Sequence, residues 1–265
     1  MNILITGSRG FVGNFISQNL KNHRTFCPDK HELNLLNNSQ VSAYFDHYNI
    51  DVVIHCALTG REVLGSLDPV YLSDGILMFR NLWNNRHKFK TLINMGTVYE
   101  HDLEVDNSMI KEGEFIHHLP KTSYGYAKNI IARIIKDTEN FYNLRIFGNF
   151  HETESEKRFF KKLLLEDEVT IHNDHYIDYL YMPDLLPMIE CVIKNQSQYR
   201  DINMVYSTKY RLSEMAQMFC DIHRLNKNKI KILKQSDKNL TGDPTKFSSF
   251  NFNLIGLEEG FRRYK

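Results

Sequence analysis

The stretch Asn2-Ile-Leu-Ile-Thr-Gly-Ser-Arg-Gly-Phe-Val-Gly13 constrains the fold of this chain more than any other. Ile3, Leu4 and Ile5 form an apolar run of strand character that ends at Thr6, and glycines follow at once at 7, 10 and 13. The chain must then turn sharply into a helix that starts near Gly10 and buries Phe15, Ile16 and Leu20. Glycine permits such a turn and lets bare backbone approach a ligand, while a helix N-terminus offers N–H groups and partial positive charge to an anion. The stretch therefore reads as a dinucleotide-binding turn, with Gly7, Gly10, Phe11, Val12 and Gly13 against the pyrophosphate. Three glycines after a strand also suit an unrelated strand-to-helix turn, so the rest of the chain has to decide between them.

Alternation of apolar strands with amphipathic helices continues beyond this turn and predicts an α/β protein, a Rossmann-type doubly wound parallel sheet. Arg24 to Cys27 reads as a short second strand and Ser39 to His47 as a helix. Asp51-Val-Val-Ile-His-Cys-Ala57 is apolar on both faces, which suits a central parallel strand; His55 inside it reads as a packed core residue. A polar loop over 59–66 leads to a helix from about Pro69 to Asn84. Lys90 to Gly96 is the next strand, with Thr97-Val-Tyr-Glu100 at its carboxyl end, where open α/β sheets bind ligands. The loop Pro28 to Asn34 bears on the choice of cofactor. Arg9 and Lys30 are placed to converge on the 2′-phosphate of NADP, Asp29 argues for the ribose hydroxyls of NAD, and both cations also read as solvated surface charges.

Pro120-Lys-Thr-Ser-Tyr-Gly-Tyr-Ala-Lys128 opens a helix that continues through Ile130, Ile131, Ile134 and Ile135. Tyr124 and Lys128, four residues apart, share one helix face. A tyrosine with an ordinary pKa near 10 is a poor proton donor or acceptor at neutral pH, and a neighbouring ammonium together with a positive nicotinamide ring is expected to favour its phenolate. Tyr126 offers a decoy at nearly the same place. Phe141 to Gly148 is a further buried strand, after which the alternation breaks down. Lys157 to Leu165 reads as an amphipathic helix whose cations either form a solvated face or reach a diphosphate. A helix runs through Ile193 and another over Leu212 to His223; Thr241 to Phe252 is polar and weakly patterned, and Leu257 to Tyr264 closes as a helical turn.

Composition excludes several classes. Lys plus Arg number 33 and Asp plus Glu 32, so no global basic field points to nucleic acid or an anionic membrane. With 42% hydrophobic residues the 265-residue chain has enough apolar side chains for a sizeable core. Cys27, Cys56, Cys191 and Cys220 lack metal-ligand or redox-motif spacing, so no metal is expected. No signal-like or membrane-spanning run is present in the sequence, and the expected location is the cytoplasm.

Together these residues resemble the extended short-chain dehydrogenase/reductases that act on nucleotide sugars, the NAD-dependent epimerase/dehydratase family, and most closely the GDP-L-fucose synthase-like reductases. The likeness extends over nearly the whole chain: the glycine turn with its arginine, His31 to Leu36 beside the adenine, Asp51 to Ala57, Gly96-Thr-Val-Tyr99, Tyr124 to Lys128, Leu144-Arg-Ile-Phe147, Tyr179 to Asp184 and Gly256 to Arg262. It implies an NAD(P)-binding Rossmann domain over residues 1–150 and a smaller C-terminal substrate-binding lobe over 151–265, with about 178–195 returning to the first domain. It further implies NADPH or NAD as cofactor, with NADPH preferred on the strength of Arg9 and Lys30. Asn34 and Ala57 join the cofactor contacts, Asn149, His151, Lys157 and Arg158 serve the nucleotide-sugar substrate, and the chain forms a homodimer through Rossmann helices. Tyr124, Lys128 and Thr97 become the catalytic residues, for reduction of a keto-sugar of the 4-keto-6-deoxy class. An epimerase or dehydratase of the same fold, and an NADP-binding scaffold without catalysis, are the alternative readings.

The departures are specific. Met95 falls where the family carries its catalytic serine or threonine, and Thr97 stands where GDP-L-fucose synthase has the cysteine associated with epimerisation. Ile177 replaces the arginine that clamps the diphosphate, and Gly148-Asn-Phe-His-Glu152 replaces an Asn-x-Tyr-Gly-Pro segment. Thr97 is therefore the nearest hydroxyl for polarising a carbonyl, and simple reduction without epimerisation is expected.

Overall fold

The computed structural model describes residues 1–58 and 67–265, and the polar loop expected over 59–66 lies outside the described residues. The described chain divides into two compact units. The first comprises Met1–Asp102, Gly113–Arg145 and Leu186–Ile202; the second comprises Leu103–Glu112, Ile146–Leu185 and Asn203–Lys265.

The first unit is built on β1 (Asn2–Thr6), α1 (Phe11–Asn19), β2 (Arg24–Phe26), α2 (Asn38–His47), β3 (Val52–His55), α3 (Pro69–Asn84), β4 (Thr91–Thr97) and α4 (Ser123–Lys136). Local chemistry sets where several of these helices begin. Asn37 accepts the Gln40 N–H ahead of α2, Asp68 followed by Pro69 caps α3, and Thr122 accepts the Gly125 N–H ahead of α4. The strand order across the sheet is Asp201–Asn203, Phe141–Ile146, β4, β3, β1, β2. β1 pairs in parallel with both β2 and β3, and β3 with β4. The order reverses between β1 and β3, so the turn after β1 opens onto the crevice where a doubly wound sheet takes its ligand.

Register explains how the sheet changes character along its length. Ile5, Ile54 and Ile93 form one apolar row across β1, β3 and β4, and the next row is Thr6, His55 and Asn94. All six are buried. Most of the polar row is satisfied sideways: Thr6 Oγ1 and His55 Nδ1 are 2.9 Å apart, and Asn94 Nδ2 donates to Asn143 Oδ1 at 2.7 Å, while Asn94 Oδ1 is buried without a hydrogen-bond partner among the described residues. His55 is thus a core residue, as its place in an apolar strand predicts. Burial takes its pKa down to about 3, with the Lys128 charge adding to the effect. Behind the sheet, Leu4, Val53, Leu92, Phe79, Leu82 and Phe141 form an aliphatic and aromatic core with α3 and α4.

The second unit has shorter elements and a core of clustered aromatic rings. Phe160 lies 5.4 Å from Phe150, 5.4 Å from Phe219 and 4.7 Å from Phe261. Tilted ring pairs of this kind contribute roughly 0.5–1.5 kcal/mol each beyond the area they bury. The helix expected from Lys157 begins at Phe159, which leaves Lys157 and Arg158 ahead of it. The region from Thr241, expected to be weakly patterned, contains the end of a strand, Leu240–Gly242, which pairs in parallel with Asn107–Ile110 and continues into a sheet with Tyr176–Ile177. Strands of two to four residues are too short to carry a readable period.

Candidate active site

At the end of β1 the chain forms a backbone cradle. Gly7 has φ +70°, and a Cβ placed on it would lie 2.7 Å from Ala57 backbone atoms; one on Gly13 would lie 2.4 Å from the Gly7 carbonyl oxygen. Both positions exclude side chains, so β1, β3 and α1 close together around bare backbone. Gly10 precedes α1 without a side-chain cap, a kind of helix start that suits an anion. A cleft of about 350 Å³ opens here, lined by Gly7, Arg9, Lys30, Asn34, Ala57 and Met78 among others. The shape fits a dinucleotide: a narrow backbone cradle beside a partly apolar slot.

Asp29 does not present a free carboxylate to that slot. Its Oδ1 accepts the N–H groups of His31 at 2.7 Å and Glu32 at 3.1 Å, and its Oδ2 takes Arg9 Nη2 at 2.7 Å. These contacts, the Glu32 and His31 N–H bonds foremost and the Arg9 charge behind them, hold the Asp29 carboxyl below the usual range. Lys30 stands exposed on the same rim. Asn34 accepts the Leu36 N–H, which shapes the loop beside the slot.

The second cluster forms where β4 ends against α4. Tyr124 is 7% and Lys128 6% exposed, whereas the decoy Tyr126 is half-buried. Lys128 Nζ donates to the Met95 carbonyl at 3.0 Å, which ties α4 to β4. The Thr97 hydroxyl hydrogen-bonds Tyr124, and the Tyr99 ring lies 5.7 Å from the Tyr124 ring. The sequence leads to the expectation that the Lys128 ammonium and a bound nicotinamide ring lower Tyr124; in the chain by itself the direction is upward. Burial pushes the phenol up, and only the Thr97 hydrogen bond works against it. Burial likewise lowers Lys128, partly offset by Glu100 and Cys56. The cluster therefore holds a protonated phenol near neutral pH, the donor form.

The residues expected to meet the substrate lie in the second unit. Asn149 is on the strand Gly148–Phe150, and Arg158 Nη2 donates to its backbone oxygen at 2.5 Å and to Oδ1 at 2.6 Å. Arg158 Nε also pairs with Glu154 at 2.9 Å. The guanidinium is thus committed to bracing its own lobe, while Lys157 next to it is exposed. His151 stacks on Tyr181 at 5.9 Å, with Nε2 3.1 Å from Glu152 and Nδ1 2.9 Å from the Thr153 hydroxyl. Ile177 packs against the ring cluster.

The structure also brings in residues that the sequence reading passes over. Glu100 and Arg145 are fully buried and paired at 2.7 Å, with Asp201 3.1 Å from the same guanidinium. Burial raises Glu100 despite the Arg145 charge; Arg145 is itself raised because Asp201 and Glu100 outweigh its burial. One local signal was available: Thr97-Val-Tyr-Glu100 has the spacing of a capping box, and the structure forms one over the turn Val98–Glu100. Among the described residues, no group of three or more His, Cys, Asp or Glu side chains is placed to hold a metal ion, and no helix is long and apolar enough to cross a membrane.

A Rossmann-type sheet with a glycine cradle, and a Tyr/Lys pair on the helix beside β4, define the class of an extended short-chain dehydrogenase/reductase. Residues 3–204 match the NAD dependent epimerase/dehydratase family, and the chain belongs to it. A curated relative, the GDP-L-colitose synthase of Yersinia pseudotuberculosis, is 25% identical over 252 residues, which cover 84% of this chain and 82% of the relative. Among solved structures, the GDP-mannoheptose C4 reductase of Campylobacter jejuni with NADP bound superposes with a TM-score of 0.82 at 17% identity, covering 99% of this chain and 96% of that one. A dTDP-4-dehydrorhamnose reductase of Clostridium acetobutylicum gives a TM-score of 0.82 at 18% identity, covering 100% and 98%.

Proposed function

We propose that this protein is a cytoplasmic NADPH-dependent reductase of a nucleotide-activated keto-sugar of the 4-keto-6-deoxy class, working as a homodimer through helices of the Rossmann unit. The observation that carries the reading is the buried Tyr124 phenol, with the equally buried Lys128 one helical turn on along α4 and the Tyr99 ring 5.7 Å away, at the ligand-binding end of the sheet. The relatives support it, since those described above are named for GDP- and dTDP-sugar synthesis or reduction and one was solved with NADP. NADPH, when bound, supplies the hydride that adds to the carbonyl carbon. Tyr124 gives its phenolic proton to the carbonyl oxygen as the alcohol forms; burial keeps that proton in place beforehand. Thr97 donates a hydrogen bond to the same oxygen, and Lys128 holds the nicotinamide ribose. Gly7, Gly10, Phe11, Val12 and Gly13 hold the pyrophosphate, Asn34 and Ala57 flank the adenosine, and Arg9 and Lys30 meet the 2′-phosphate. The engagement of both Asp29 oxygens favours NADPH over NADH, because a carboxylate already bonded offers little to ribose hydroxyls. Asn149, His151 and Lys157 are the substrate-facing residues of the lobe under this reading.

The test is NADPH oxidation against GDP- and dTDP-linked 4-keto-6-deoxy sugars. Turnover with one nucleotide series is expected, and cofactor binding without turnover on any sugar overturns the reading. Reduction proceeds without epimerisation, because a threonine hydroxyl is too weak a base to remove a carbon-bound proton near neutral pH. Enzyme-dependent deuterium uptake at sugar carbons 3 or 5 in heavy water contradicts that part.

A further inference from the structure

Glu100 touches both halves of the Thr97–Tyr124–Lys128 cluster without belonging to it. Its Oε1 accepts the Thr97 backbone N–H at 3.0 Å, which closes the turn that ends β4. Its carbonyl oxygen accepts Asn129 Nδ2 at 2.7 Å, and Asn129 is the residue after Lys128 on α4. One residue therefore joins the strand end that carries Thr97 to the helix that carries Tyr124 and Lys128. The carboxylate is itself fixed from several sides. Oε2 accepts Arg145 Nε at 2.8 Å, Asn143 Nδ2 reaches it at 3.1 Å, and a Cβ on Gly96 would lie 2.6 Å from Oε1. Arg145 is shared with Asp201. A buried ion pair is a weak source of net stability. A carboxylate with both oxygens engaged is, however, a stiff support for the groups it holds.

We propose that Glu100, gripped by Arg145, is a positioning residue that sets the Thr97 hydroxyl against the Tyr124 phenol and fixes α4 beside it. The inference rests on the reductase reading for its meaning, but the geometry it describes can be tested without turnover. Glutamine at 100 has a single acceptor oxygen, so its amide must face either the Thr97 N–H or the Arg145 donors, while Arg145 keeps Asp201. The groups facing Tyr124 are Thr97, Tyr99 and Glu100; Glu100 and Cys56 face Lys128, as does His55; Arg145 and Asp201 face Glu100. Loss of the Glu100 negative charge makes the Tyr124 phenolate easier to form.

In E100Q, kcat is expected to fall about 10- to 100-fold with the KM for NADPH within about twofold. The basic limb of the kcat profile is expected to move toward lower pH. In the protein without cofactor, amide exchange over the peptide 94–101 is expected to quicken about tenfold. D201N, which loosens the same cluster without touching Thr97, leaves kcat near wild type; equal losses in D201N and E100Q overturn the proposal, as does an unmoved basic limb. If wild type turns over no keto-sugar, the reductase reading fails by itself, and unchanged exchange over 94–101 in E100Q still overturns the positioning role. R145K, which keeps the buried charge but loses the two-pronged grip, is the second variant should E100Q not fold. Unchanged kcat and exchange in R145K overturn the proposal, and a smaller loss of kcat with faster exchange supports it.

Discussion

In the first unit the buried charges converge on the end of one strand, whereas in the second they pin segments of chain to one another. Glu100, Arg145 and Lys128 all lie within the layer behind Thr97 and Tyr124. In the second unit, Asp184 accepts the Tyr206 hydroxyl at 2.5 Å and the N–H groups of Ile255 and Gly256, and Glu154 takes Arg158 at 2.9 Å and the Tyr264 hydroxyl at 2.8 Å. The contrast follows from the elements available. Long parallel strands and helices hold the first unit through an aliphatic core, which frees its buried polar groups for the site. The second unit has short strands, and carboxylates that collect several N–H and O–H donors do for its loops what ladder bonds do elsewhere.

The sharpest break in this comparison is Tyr124→Phe. Catalysis on the keto-sugar that the wild type reduces is expected to fall about 10²- to 10⁴-fold in kcat, with NADPH affinity and unfolding midpoint nearly unchanged. A rate close to wild type removes the chemistry from the first unit. Phe160→Ala probes the second unit in the opposite way. Removing the ring at the centre of the cluster is expected to cost about 3–5 kcal/mol in urea unfolding, with the cleft of the first unit still binding NADPH. A cost under about 1 kcal/mol contradicts the role given to the ring cluster.

Acid unfolding separates the two regions by smaller amounts. Burial, aided by the Lys128 and Arg145 charges respectively, takes His55 and His101 of the first unit down to about 3. The unfolded chain binds protons at these residues near pH 6.5, the native chain only near 3, so stability drops as pH falls through that window. Each residue contributes about 1.4 kcal/mol per pH unit to the slope. His55→Gln is expected to remove about that much between roughly pH 5.5 and 4, measured by urea unfolding at several pH values; an unaltered slope shows that His55 does not stay neutral in the native state. His151 and His223 of the second unit are also lowered by burial, and shift the same slope less. The smallest effect is expected at the rim of the cleft. Replacing Arg9 and Lys30 together by alanine should weaken NADPH binding about tenfold and NADH binding about twofold or less, by fluorescence titration. Equal losses for the two cofactors show that neither cation reads the 2′-phosphate.

Several features were legible along the chain because they are local. Hydrophobic runs, glycine spacing and capping residues place β1 to β4 and α1 to α4 to within a few residues, and Leu212–His223 in the second unit matches its amphipathic pattern. Tyr124 and Lys128 were found by a spacing of four. The strands Asn107–Ile110 and Leu240–Gly242 were not found, because they pair with each other across more than a hundred positions of chain. Arg158 read as a free cation on an amphipathic helix until the fold set Asn149 and Glu154 against it.

What the sequence determined by itself is what depends on neighbours in the chain: the β-turn-α cradle at Gly7 to Gly13, the alternation that makes a doubly wound sheet, and the tyrosine and lysine on one helix face. What only the tertiary structure decided is the environment of those groups. Whether Tyr124 is raised or lowered, whether Asp29 is free to bind a ribose, and what holds Thr97 in place all depend on burial and on contacts across β4, α4 and the strand Phe141–Ile146. Desolvation and long-range hydrogen bonds arise only when distant segments pack, and no local pattern encodes their balance.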